Sequence, residues 1–97
     1  MRVISKNKLF EFYKKHAETK IPLETWYHEV KREKWTNPID VLNKYGSASP
    51  IKGNRVVFKI KGNKYRIVAK INYKLRILYI RFIGTHKEYD KINAEEI

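Results

Sequence analysis

Between Arg55 and Gly84 the chain passes through three segments rich in β-branched and aromatic residues: Arg55–Ile60, Tyr65–Asn72 and Leu75–Gly84. Gly62-Asn63 separates the first two and Asn72-Tyr73-Lys74 the last two, and both are turn formers. That spacing predicts an antiparallel meander. It also limits where charge can go, because Arg55, Lys59, Arg66, Lys70, Arg76 and Arg81 lie inside the segments. A buried, unpaired cation costs several kcal/mol. One face of the sheet must therefore meet water or a polyanion.

With 97 residues the expectation is one small domain, residues 1–97, around a single core. The 22 basic residues outnumber the 10 acidic ones for a net charge of +12. Twelve of the basic residues fall between Lys52 and Lys91, beside only Glu88 and Asp90. Such a field attracts phosphate backbones. A lysine-rich surface also keeps a small protein in solution, but solubility does not require the charge to gather on one sheet. The absence of cysteine excludes disulfides and thiolate metal sites. No apolar run approaches the roughly 20 residues of a membrane span, and no signal-peptide core is present. A cytoplasmic protein with no membrane partner is the expectation.

Before the meander, Arg2–Ile4 reads as a short strand that joins the sheet, followed by Ser5 as helix N-cap. Leu9, Phe12, Tyr13 and Ala17 form the apolar stripe of a first helix, and Leu23, Trp26, Tyr27 and Val30, after Pro22, that of a second. Asn37, Pro38 and Asp40 start a short third helix carrying Val41, Leu42 and Tyr45, which Gly46 ends. Residues 46–54 read as a polar connection. In the second strand, Tyr65, Ile67, Ala69 and Ile71 share the core side, and Arg66, Val68, Lys70 and Asn72 the other. The predicted class is α+β: a twisted antiparallel sheet of three to four strands, two to three helices on one face, and a basic cleft on the other.

Metal-dependent cleavage of a phosphodiester needs several converging carboxylates. The cationic half supplies only Glu88 and Asp90, so neither a metal nor another cofactor is expected. Metal-free cleavage of RNA asks for a base to take the 2'-hydroxyl proton, cations around the phosphate, and an acid for the leaving oxygen. His86 can serve as base or acid, Tyr89 as a proton-sharing hydroxyl, and Arg66, Lys70 and Arg81 as the electrostatic clamp. More ordinary roles compete with these. A lone histidine after a strand is more often a turn residue bonding backbone, His16 and His28 read as solvated or partly packed, and Asn63 is first a turn residue. Tyr65 and Tyr79 read as core, whereas Tyr73, in a turn, is the aromatic best placed to stack a base.

The run Arg55-Val-Val-Phe-Lys-Ile-Lys-Gly-Asn-Lys-Tyr-Arg66, then Tyr79-Ile80-Arg81, then Thr85-His-Lys-Glu-Tyr-Asp90 resembles the HigB-type toxins of bacterial toxin-antitoxin pairs. The resemblance covers roughly Trp35 to Ile92 and rests on a Gly-Asn-x-x-Arg turn together with a Thr-His-x-Glu-Tyr-Asp ending. It implies a RelE-like fold and a metal-independent endoribonuclease that cuts messenger RNA at the ribosome by 2'-hydroxyl attack on the adjacent phosphate. It also implies a cognate helix-turn-helix antitoxin, of HigA type, through which operator DNA is met only indirectly. Asn63 and Arg66 fall on the turn motif, Arg81 on the strand before the ending, and His86, Tyr89 and Asp90 on the ending itself.

The expected catalytic set is therefore His86, Tyr89, Arg66 and Arg81, with Lys59, Asn63, Lys70, Tyr73 and Lys87 binding RNA or its phosphates and Asp90 orienting a neighbour. Two other classes share the charge and the sheet: a non-catalytic RNA- or ribosome-binding module, and a protein-interaction domain for an acidic partner.

Overall fold

The computed structural model describes residues 1–97. In chain order it contains β1 (Arg2–Ile4), α1 (Asn7–Lys15), a 3-10 turn (Ala17–Thr19), α2 (Lys20–Arg32), α3 (Pro38–Lys44), β2 (Ser49–Ile51), β3 (Arg55–Ile60), β4 (Tyr65–Asn72), β5 (Ile77–Thr85) and α4 (His86–Tyr89). The class is α+β, as expected, but the sheet has five strands in the order β1-β5-β4-β3-β2 rather than three to four. It is also mixed, because β1 runs parallel to β5 while every other pairing is antiparallel. The strand missed in the 46–54 connection is β2, whose three residues are too few to show alternation. Its Pro50 is tolerated because an edge strand can spare one N–H. No helix is long and apolar enough to cross a membrane.

One face of the sheet carries the main core. Leu9 of α1, Leu23, Trp26 and Val30 of α2, and Val41 of α3 pack on Val56, Phe58, Ile67, Ala69, Ile71, Leu78 and Ile80. The alternation expected in β4 holds on this side, where Tyr65, Ile67, Ala69 and Ile71 are all buried. The start of α3 also follows its sequence. Asn37 Oδ1 accepts the Asp40 N–H at 3.1 Å, and Pro38 opens the helix. Hydrogen bonds from the Thr36 N–H and hydroxyl hold the Asp40 carboxyl below its ordinary value.

Helix α1 departs from the expected start. Ser5 sits at φ 70°, in the left-handed region, so it leads into the helix as a turn instead of capping it, and no side chain caps α1. Ala17 falls in the 3-10 turn and is exposed, and Thr19 is buried in its place.

The opposite face is not an open cleft throughout. The segment after α4 crosses it, and Ala94, Ile92 and Ile97 join Tyr89 and Phe82 over Val57 and Val68. Arg55 is consequently buried rather than facing solvent. Its guanidinium is satisfied by carbonyl oxygens, with Nε donating to Ile97 at 2.6 Å and Nη1 to Gly53 at 3.2 Å. Backbone acceptors remove the penalty on which the expectation rested.

Tyr65 ties the 3-10 turn to the sheet by donating its hydroxyl hydrogen to Glu18 Oε1. That bond is the chief reason the Glu18 carboxyl lies below its ordinary 4.5. A carboxyl lowered by folding contributes stability that is complete above its unfolded value and is lost as pH falls through its folded value. Glu18→Gln is therefore expected to lose less of its urea midpoint than wild type between pH 7 and about pH 3.5. Parallel losses in the two proteins would show that Glu18 is not linked to folding.

Candidate active site

The β3–β4 turn and the short helix α4 build one rim of the sheet. Lys61 at φ 54° and Gly62 at φ 70° reverse the chain in left-handed conformations, which places Asn63 at the corner. Asn63 Oδ1 then accepts two hydrogen bonds from Arg66, from Nε at 3.2 Å and Nη2 at 2.9 Å. A guanidinium gripped by its own fork keeps one orientation. Its carbon lies 4.6 Å from the centroid of the Tyr89 ring, within cation–π distance. Lys59 stands directly across from Arg66 on β3 and adds a second charge to that face.

Helix α4 lies in the stretch after the last strand, where no helix is expected from the sequence pattern, although its start signal is written in the chain. Thr85-x-x-Glu88 is a capping box: Thr85 Oγ1 accepts the Glu88 N–H at 3.2 Å, and Glu88 Oε1 accepts the Thr85 N–H at 2.8 Å. The Thr85 N–H holds the Glu88 carboxyl below its ordinary value. The His86 N–H donates to the Lys64 carbonyl at 3.1 Å, stitching α4 beside the turn that carries Asn63. Gly84, opposite Arg66, leaves room for this arrangement, because a Cβ there would lie 2.5 Å from Phe82 Cζ and 3.0 Å from Glu88 Oε1.

One turn along α4, Asp90 Oδ2 lies 3.0 Å from His86 Nδ1. An ionised carboxylate can only accept, so Nδ1 carries the proton and a neutral His86 keeps its Nε2 lone pair free. The rim thus joins a fixed guanidinium, a phenol over which it lies, and an oriented imidazole. Lys87 is exposed on the same helix. Together these groups can hold a phosphate, take a proton and return one.

Lys70 and Arg81 stand apart from the rim. Val68 pairs with Phe82 and Ala69 with Ile80, so Arg81 is the extra residue of a β-bulge and is turned toward the cationic face. Its guanidinium carbon lies 5.9 Å from the Tyr79 ring centroid, and Tyr79 sits across from Lys70. Tyr79 is therefore a groove residue rather than the core residue expected. Tyr73, the aromatic expected to stack a base, is partly buried against the main core and lines the same groove as Tyr79, and burial is the first cause of its raised phenol. Alternation along β5 could have placed Tyr79 opposite Leu78 and Ile80, but the bulge obscures it.

Besides the His86–Asp90 hydrogen bond, two ion pairs occur in the molecule, Lys14–Glu11 and Lys44–Glu29. Lys59, Arg66, Lys70, Arg81 and Lys87 take part in none of them, so the cationic face is uncompensated from within.

The family model for the HigB toxin, the RelE-like toxic component of a toxin-antitoxin system, matches residues 19–92. That span holds every rim and groove residue named above. Among curated proteins, an mRNA interferase HigB of Escherichia coli is 26% identical over 94 residues, 95% of this chain and 91% of that protein. The mRNA interferase HigB of Shigella flexneri is 27% identical over 96 residues, covering 97% of this chain and 92% of that protein. A family match over most of the chain, with the turn and the ending brought together in space, places this protein in the HigB family of RelE-like toxins.

Proposed function

We propose that this toxin is an endoribonuclease that cuts messenger RNA, acting at the ribosome, and that the rim of Asn63, Arg66, His86, Tyr89 and Asp90 does the chemistry. The supporting observation is the Arg66 guanidinium, clasped by Asn63 and laid over Tyr89 beside the His86–Asp90 pair. The relatives named mRNA interferase point the same way. His86 Nε2 takes the 2'-hydroxyl proton, and the oxygen attacks the adjacent phosphorus. Arg66, with Lys59 and Lys87 adding field, stabilises charge on the non-bridging oxygens. Tyr89 gives its proton to the departing 5'-oxygen, which leaves a 2',3'-cyclic phosphate and a 5'-hydroxyl end. Asp90 holds the imidazole in the reactive tautomer. The step uses protein groups alone, and its rate should survive a chelator. The partner implied by the family is an antitoxin, of helix-turn-helix type, that silences the toxin and carries any contact with operator DNA.

The test is to induce wild type and a His86→Ala, Tyr89→Phe double variant in a bacterial host, mapping new 5' ends on messenger RNA while following growth. Wild type is expected to cut and arrest growth, with cleavage by the variant lower by about 10²-fold or more. Arrest by both proteins without cleavage by either would replace the nuclease with a ribosome-binding inhibitor.

A further inference from the structure

We infer that the groove where β4 faces β5, away from α4, is a second nucleotide subsite that takes a base and its phosphate from single-stranded RNA. The inference rests on the nuclease reading above only for the position of the scissile bond. The groove encloses about 560 Å³ and is lined by Lys70, Asn72, Tyr73, Lys74, Tyr79 and Arg81 around a floor of Ile71 and Asn54. The Ile71 N–H is tied to the Asn54 carbonyl at 2.7 Å, so the floor is fixed.

Its composition matches one ligand chemistry. Three cations line it without a single carboxylate, and none of them is in an ion pair. Such a pocket is poised for an anion. The half-exposed Tyr79 ring adds a flat apolar surface beside the charge, which a free phosphate or a carboxylate has no use for and a nucleobase does. Asn72 Oδ1 is occupied by the Leu75 N–H at 3.0 Å, which leaves its amide NH2 free to donate to a base edge. In a duplex the faces of the bases are buried in the stack, so an aromatic platform selects the single strand.

The subsite is distinct from the rim. Lys70 lies four residues along β4 from Arg66, about 13 Å at the usual strand rise. Val68, between them, is buried beneath the segment that follows α4. A substrate must therefore be long enough to pass from one to the other.

The experiment measures affinity, by fluorescence anisotropy at fixed salt, for 2'-O-methyl RNA single strands of about three to about twelve nucleotides. These lack the attacking hydroxyl and remain intact. Wild type is expected to show a step in affinity once the strand spans both sites. Tyr79→Ala is expected to lose about tenfold at lengths beyond the step and nothing below it, while Tyr79→Phe keeps the step. Equal affinities of wild type and Tyr79→Ala at every length would overturn the subsite, as would equal competition by a duplex RNA or by polyglutamate. The two readings separate cleanly. A step without cleavage of unmodified RNA removes the nuclease and leaves the subsite, and cleavage without a step does the reverse.

Discussion

Arg66→Ala is expected to lower the rate of RNA cleavage by about 10²- to 10³-fold, the scale of removing a donor from developing charge at a reacting centre. Stability should change little, because the guanidinium is half-exposed and its bonds to Asn63 and its contact with Tyr89 lie at the surface. Arg66→Lys separates charge from geometry. It keeps the cation but cannot grip Asn63 Oδ1 with a fork, so the rate should fall between wild type and alanine. Single-turnover cleavage beside a thermal melt reads both quantities. A loss of only a few-fold in Arg66→Ala would move the phosphate away from this residue and toward the Lys70–Arg81 groove.

Phe58→Ala carries the largest expected effect on folding, about 3–5 kcal/mol. Its ring is buried against Trp26 at 5.2 Å and Tyr45 at 5.6 Å, both edge-on, and stacks on Trp35 at 6.2 Å. These partners come from α2, the linker and the end of α3, and they cannot all follow one shrinking side chain. For a small domain whose whole stability is about 5–15 kcal/mol, that is a large share. The urea midpoint should fall steeply, with an unchanged slope if unfolding stays two-state. Phe82→Ala makes a useful contrast, because Phe82 lies on the other face at 6.5 Å from Tyr89 and should disturb the rim more than the core. A Phe58→Ala midpoint close to wild type would mean that the helical layer repacks freely over β3.

Where local chemistry decides the structure, the chain is legible. Asn37, Pro38 and Asp40 mark the start of α3, the turns at Gly62-Asn63 and after Asn72 fall where their residues require, and β4 alternates as read. What escapes is what depends on distant partners. β2 exists because β3 offers it an edge, β1 is parallel because β5 lies beside it, and Arg55 is buried because the carbonyls of Gly53 and Ile97 reach it. Within the site, the ending residues and the Asn-x-x-Arg turn were identifiable, but their meeting depends on the bond from the His86 N–H to the Lys64 carbonyl. The bulge at Arg81 adds one residue to the strand and shifts which face Phe82 presents relative to Tyr79, a change that no simple period of two can express.

A ribosome making this chain releases Arg2–Ile4 long before their partner exists. Arg2 pairs with Ile77 and Ile4 with Tyr79, so the first strand waits unpaired while the helices and three other strands are synthesised. Pairings between such distant segments form late, since the loop between them must close first. α4 follows β5 directly, and its first N–H bonds back to the turn before β4. The rim cannot assemble on a nascent chain whose fifth strand is still inside the exit tunnel.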